Sequence, residues 1–419
     1  MIGTLLASPW AIWCIAAAAT AGVILRPFGW PEFVWAAGGA MLLVALGLLE
    51  WGQALSGIRQ GTDVYLFLTG MMLLAELARQ EGLFNWLAAK AAALAHGSAA
   101  RLFSLVFGVG VLVTIFLSND ATAVVLTPAV AAVARAARAK DPLPYLFVCA
   151  FVANAASFVL PISNPANLVI YGAHMPPLLA WLPRYGLPSL LAIAVTYLVL
   201  RWTQRASLRQ PMEADIDLPA LSTGGKLAAL GIGLTAAALV TASALDVALG
   251  LPTFLAGAAT ALLVFTRGEC GPMTVARHIS WGVLPLVAGL FVLVQALQAT
   301  GVTASLAHAL RDLVRQSPAL AAWASGLSLG VGCNLVNNLP AGLVAGRVAA
   351  AGLPEHVRAA LLIGVDLGPN LSVTGSLATI LWLTALRREG YAVSAWRFLK
   401  LGALVMPPAL LLALAGVFA

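Results

Sequence analysis

Charge is scarce in this 419-residue chain. It has 16 acidic and 23 basic side chains, 9% of the total, against 61% hydrophobic residues. A soluble domain of this length could not cover its surface with so few charged groups, which excludes an ordinary globular protein. Cysteine is scarce as well: Cys14, Cys149, Cys270 and Cys333 lie far apart without a CxxC pair, so neither a disulfide framework nor a zinc site is expected. The histidines His96, His174, His278, His308 and His356 fall near the ends of apolar runs with no metal-ligand spacing, and no cofactor is expected. Alternating ten-residue segments are missing, which argues against a membrane barrel. The N-terminus lacks a basic region and a small-residue cleavage site, so Met1–Leu25 reads as a first span and not as a removed leader.

What the chain has is a series of long apolar runs, among them Trp10–Leu25, Phe33–Leu49, Leu178–Leu200, Leu227–Leu245, Val283–Leu297 and Phe398–Phe418. Each approaches the roughly 20 residues that cross a bilayer as helix, so the expected class is an all-α polytopic membrane protein. Spans are expected near 9–26, 31–50, 62–80, 143–175 and 178–201, and again near 226–244, 248–266, 280–300, 357–386 and 396–418. Shorter apolar pairs near 101–137 and 319–350 read as hairpins. The polar stretch 202–225 separates residues 1–201 from 226–419. Five spans and a hairpin on each side force the second half to enter the membrane the other way up, the pattern of inverted-repeat transporters.

The +7 net charge is not read as a nucleic-acid signal, because in a membrane protein the distribution of positive charge carries the information. This layout gathers 17 lysines and arginines on one side and 6 on the other. The positive-inside rule therefore puts the linker in the cytoplasm and both termini outside, in a cell (plasma or inner) membrane. Gly82–His96 reads as an interfacial helix. Trp10, Trp30, Trp181, Trp202, Trp281 and Trp396 lie near span boundaries, as an aromatic belt requires.

The polar interruptions carry the chemistry. "TIFLSNDATAVVLTPAV", from Thr114, places Asp120 beside Asn119 in an apolar hairpin. "NAASFVLPISNPANLVIYG", from Asn154, puts two prolines inside a span, and such a break is tolerated at membrane depth only where it lines a cavity or packs against protein. The second half offers "NLVNNLPAGLVAG" from Asn334 and "DLGPNLSVTGSLATILW" from Asp366. Overlaying the halves sets Asn119 and Asp120 over Asn337 and Asn338, Asn154 over Asp366, and Asn164 over Ser376. Helix ends exposed at the midplane supply unpaired N–H and C=O groups, which together with these side chains make a polar pocket whose ionisable groups are Asp120 and Asp366. An aspartate in the bilayer is costly and marks a functional site, often a proton carrier.

Plainer readings exist for both aspartates. If both hairpin arms are complete spans, Asp120 is a solvated turn residue. The arm Thr122–Arg135, about 13 residues or roughly 20 Å of helix, is short against a core of roughly 30 Å, which favours a re-entrant hairpin. Asp366 could instead cap the helix that follows.

"FLSNDATAVVLTP", "NNLPAGLV", "GVDLGPNLSVTGSLATILW" and "FLTGMMLLAELARQEGLFNWLA" resemble hallmark segments of the arsenite and antimonite efflux permeases, the ArsB family of the ion transporter superfamily. The likeness implies export of As(III) and Sb(III) hydroxides driven by the proton gradient, sometimes with a cytoplasmic arsenite-stimulated ATPase. Arsenous acid is a neutral pyramid of hydroxyls, suited to side chains that both donate and accept. On that basis Asn119, Asn164, Asn167, Asn337, Asn338, Ser376 and Thr379 are assigned to the substrate pocket, and Asp120 and Asp366 to proton carriage. Related dicarboxylate transporters carry Ser-Asn-Thr at the tips; Asp120 stands in place of that threonine and would repel a carboxylate.

Cys333 lies near the second tip, and a thiol there could bind As(III), although a lone buried cysteine usually acts as a small hydrophobe. Glu76 has Arg79 one turn on and reads as a paired charge, with a coupling role as the alternative. Rival functions are a sodium/proton antiporter, an anion symporter and an intramembrane aspartyl enzyme. The last expects a GxGD-like motif, whereas Gly364-Val365 precede Asp366.

Overall fold

The computed structural model describes residues 9–172, 175–213, 218 and 220–419, and among them the secondary structure is helical. His174, the start of the first expected span and part of the linker lie outside the described residues. Before the linker come α1 Pro9–Leu25, α2 Glu32–Ala45, α3 Trp51–Gln60, α4 Thr62–Gln80, α5 Leu83–Ala95 and α6 Ala99–Phe116. A turn at Asn119–Ala121 and a π-helical stretch Thr122–Leu126 then run into α7 Thr127–Ala136, followed by α8 Leu143–Ala155, α9 Pro165–Tyr171 and α10 Leu178–Thr203.

After the linker the order repeats as α11 Thr223–Ala244, α12 Gly250–Arg267, α13 Pro272–His278, α14 Val283–Ala299 and α15 Val302–Gln316. It closes with α16 Pro318–Val336, α17 Asn338–Ala349, α18 Glu355–Leu367, α19 Leu377–Arg388 and α20 Ala395–Ala415. Each helix of the second series has a counterpart ten labels earlier, and the details agree. The α3–α4 pair bends by 46° and the α13–α14 pair by 41°. Gly82 and Gly301, both with left-handed φ, precede α5 and α15. Ser98 and Ser317 cap α6 and α16, and Asn164 and Ser376 cap α9 and α19.

Packing follows the same plan. Helix α4 lies on α12 and α14 on α2, each at a glycine. A Cβ at Gly70 would sit 2.4 Å from the Thr253 carbonyl oxygen, and one at Gly289 would sit 2.6 Å from the Ala36 carbonyl carbon. Small residues let backbones approach closely where lipid offers no hydrophobic drive for association. Helices α8 and α18 pack against the first arms of their own hairpins, α6 and α16, and α10 lies along α20.

Among the described residues six helices are long and apolar enough to cross a membrane, or eight if each bent pair counts as one span. The expected spans 9–26 and 31–50 fall outside that set because their described helices run only 17 and 14 residues, and 143–175 and 357–386 because each is broken into short helices. Three elements were not anticipated: α3, α13 and the amphipathic α15, whose Arg311, Asp312 and Arg315 give it the look of a loop in sequence.

Two expectations need correction. The second arm of the first hairpin does not begin at Thr122: it is helical from Asn119 to Ala136, about 27 Å at 1.5 Å per residue. Its length therefore no longer argues for re-entry. The tip overlay also moves by one residue. Gly82 and Gly301, Ser98 and Ser317, and the tip caps Ser118 and Asn337 share one separation, so Asn119 corresponds to Asn338 and Asp120 to Leu339. Caps fix the register through backbone geometry, whereas the sequence overlay matched side-chain types. Asp120 has no polar counterpart.

Candidate functional site

At the first tip Leu117 and Ser118 leave the helix, and the Ser118 hydroxyl accepts the Ala121 N–H at 3.2 Å. The Asn119 side-chain carbonyl accepts the Asp120 N–H at 2.9 Å, so this asparagine spends an acceptor on the turn. The Thr114 and Thr122 hydroxyls share a 2.8 Å bond across the hairpin, just where the backbone widens into a π turn, a device often found at functional sites. Ser163, in the break between α8 and α9, donates to the Ile115 carbonyl at 3.1 Å and ties that break to the tip.

The second tip is fastened to its own break more heavily. Asn337 adopts φ 74° and ψ 153°, a region otherwise almost reserved for glycine. Its amide donates to the Thr374 carbonyl at 3.2 Å, and the Asn338 N–H donates to the Gly375 carbonyl at 2.8 Å. Asn334 accepts from the Ser372 N–H and hydroxyl and donates to the Gly368 carbonyl. Over-determined surroundings of this kind are what hold a strained residue in place.

The two breaks meet each other. Asp366, buried near the end of α18, accepts from the Ser157 hydroxyl and the Asn164 amide, both at 2.8 Å. Asn154 donates to the Asn370 side-chain carbonyl at 3.0 Å, and Asn370 donates to the Phe151 carbonyl at 3.0 Å. Asn167 donates to the Ser157 carbonyl at 2.9 Å. The side-chain amide oxygens of Asn154 and Asn167 and the Thr379 hydroxyl have no hydrogen-bond partner among the described residues. Asp366 does not cap the next helix; Ser376 does, accepting the Ala378 N–H.

A cavity of about 390 Å³ reaches the first tip from the end of the molecule that carries Arg79, His278 and Arg388. Asp120 lines it, beside Ser118, and no ion pair or side-chain hydrogen bond to its carboxylate occurs among the described residues. Across the cavity Glu76 is held by Arg79 (2.5 and 2.8 Å) and by Gln80 (2.7 Å), the paired charge expected from sequence. Arg388, also on the lining, has no such partner among the described residues.

Of the residues expected to share one pocket, only Asp120 faces this opening. Asn119, Asn164, Asn167, Asn337, Asn338, Ser376, Thr379 and Asp366 are buried around the tips and breaks. Cys333 is buried too, its thiol against the Gly330 and Gly364 carbonyls, and it does not line the cavity. Ser157 and Asn370 escaped the sequence reading; both flank the proline breaks, which is the signal that could have found them.

A family model described as citrate transporter (CitMHS) matches residues 15–389. The chain is 27% identical over 376 residues, 83% of each protein, to the arsenical pump membrane protein of Escherichia coli (strain K12). It is 28% identical over 385 residues, 85% of each, to an uncharacterized transporter of Mycobacterium tuberculosis. The Alcanivorax borkumensis YdaH transporter, described as having an unusual topology, shares the fold with a TM-score of 0.55 at 18% identity over 87% of this chain and 85% of that one. The likeness read from the hallmark segments thus extends over most of the chain. With its apolar helices, paired hairpins and matched breaks, the chain belongs to the CitMHS citrate-transporter family and is a multi-pass membrane transporter.

Proposed function

We propose that this transporter exports trivalent arsenic and antimony as neutral hydroxides in exchange for protons. The observation that carries the reading is the cavity lined by the Asp120 carboxylate, which has no ion-pair partner among the described residues. A neutral polyhydroxyl solute can meet such a carboxylate by donating to it, and the carboxylate can return a proton. An anionic substrate would be repelled there. Identity of 27% with an arsenical pump membrane protein supports the same substrate class.

In this reading the two helix series are inverted repeats, the linker 202–225 is cytoplasmic, both termini lie outside, and the protein sits in the cell membrane. Asp120 exchanges protons with the cavity. Asp366 carries charge where the halves meet and responds to their relative movement through Ser157 and Asn164. The buried asparagines around the tips form the occluded pocket once the cavity narrows. A cytoplasmic arsenite-stimulated ATPase is a possible partner in the family likeness; it would have to dock away from Pro211–Glu213, which is already bonded to Gly97, Ser98 and Ala137.

A second reading is an anion symporter, favoured by the family description and by the unpaired Arg388 on the cavity wall. Everted vesicles separate the two. Proton-dependent arsenite uptake that is lost in Asp120→Asn and insensitive to excess citrate supports export of the neutral hydroxide. Uptake of labelled citrate, lost in Arg388→Ala, would replace it with the anion reading.

A further inference from the structure

The cavity contains sulfur of a particular kind. Met71 and Met72, side by side on α4, both line it, as does Asp120. Both also pack in the core, and at the spacing that matches the halves their counterparts on α14 are Leu290 and Phe291, which fill the same place without sulfur. There a cavity of about 380 Å³ is lined by Leu290, Val294, Pro340, Ala341 and Val344, with no carboxylate and no sulfur. One cavity therefore carries both the acid and the thioethers, and the other carries neither. The cysteines are kept away: Cys333 and Cys149 are buried, and none of the four lines the cavity.

We infer that Met71 and Met72 are soft-donor contacts for the trivalent metalloid, and that they set the preference of the path for antimony over arsenic. This rests on the substrate class proposed above and adds its specificity. Thioethers and thiolates both favour soft ions. A thiolate binds as an anion, and its affinity depends on proton loss. A thioether has no proton to lose and holds the same atom weakly, as a carrier that must release its cargo requires. The arrangement gives the substrate hydroxyls to Asp120 and the pnictogen atom to the two sulfurs of α4.

The test uses the full-length protein with all four cysteines replaced by alanine, so that thiolates contribute nothing. In reconstituted vesicles, Met71→Leu combined with Met72→Leu is expected to raise KM for antimonite about five- to tenfold and KM for arsenite about twofold, with maximal rate and melting temperature unchanged. Antimony X-ray absorption of the loaded protein should show a sulfur shell in the methionine form and none in the leucine form. Equal KM values in both forms, or an unchanged sulfur shell, overturn the inference while the arsenite and antimonite reading stands. If the methionine form itself transports neither metalloid, both fall together.

Discussion

Glu81, at the end of α4, joins three segments. Its carboxylate is buried, accepts the N–H groups of Glu269 and Cys270 at 2.9 Å each, and accepts the Ser222 hydroxyl at 3.2 Å. Ser222 in turn caps α11, accepting the Gly225 N–H at 2.8 Å. Burial alone would favour the neutral acid, but the bonds from Cys270, Glu269 and Ser222 outweigh it and hold the group below the usual glutamate range. A depressed folded value means that this stabilisation is present above the unfolded value of about 4.3 and is lost as pH falls through the lower folded one.

Glu81→Ala leaves the Glu269 and Cys270 N–H groups unpaired, while the Ser222 hydroxyl keeps the Glu81 backbone carbonyl at 3.0 Å, and should cost about 2–4 kcal/mol, whereas Glu81→Gln, which keeps the shape, should cost about 1–2 kcal/mol. A Cβ at Gly224 would lie 1.9 Å from Glu81 Oε2. Gly224→Ala should therefore displace the carboxylate and destabilise the native protein, yet add little to Glu81→Ala. Thermal unfolding in one detergent at pH 7 and pH 4 measures all of this. The matching joint of the other half is neutral, with Trp13 donating to the Thr300 hydroxyl at 3.0 Å, so the cost of Thr300→Val should not change with pH. Additive losses for Gly224→Ala and Glu81→Ala, or a gap between wild type and Glu81→Gln that stays constant from pH 7 to pH 4, would refute the reasoning.

Other outcomes follow from the same geometry. Asn154→Leu leaves the Asn370 carbonyl without its cross-half donor and should lower stability by about 1–3 kcal/mol, read as a drop in melting temperature, while Asn154→Ser should lose less. Gly289→Leu should separate α14 from α2 and cost at least as much as Gly38→Leu costs little, because a Cβ at Gly38 meets no atom within 4 Å; comparing the two melts checks it. Cys333→Ala should keep near-normal arsenite efflux, since its thiol packs against glycine carbonyls and does not face the cavity; a large loss of transport would restore a thiol role.

Much of the fold is legible in the sequence because the bilayer constrains it strongly. Thr62–Gln80 and Leu178–Thr203 stand out as long apolar segments, and Pro161, Pro165 and Pro369 betray the breaks because proline cannot continue a hydrogen-bonded helix. Helix α15 was illegible because its exposed face is charged and its apolar stripe is short. At the site, the polar and acidic residues are legible in the sequence but their neighbours are not. Asp120 and Asp366 both read as intramembrane acids, yet one faces a cavity and the other is sealed by Ser157 and Asn164 from the other half. Contacts between residues some 200 positions apart leave no local pattern. The one-residue shift of the tips was likewise invisible until the caps fixed the register.

The central claim is exchange of a neutral metalloid hydroxide for a proton at Asp120. Its most direct measurement is arsenite flux in vesicles of the purified protein under an imposed pH gradient, with internal pH followed at the same time. The account predicts that arsenite movement is coupled to opposite proton movement, and that Asp120→Asn abolishes the coupling while arsenite still binds. Arsenite flux that ignores the gradient, or proton movement driven by citrate and not by arsenite, would contradict it.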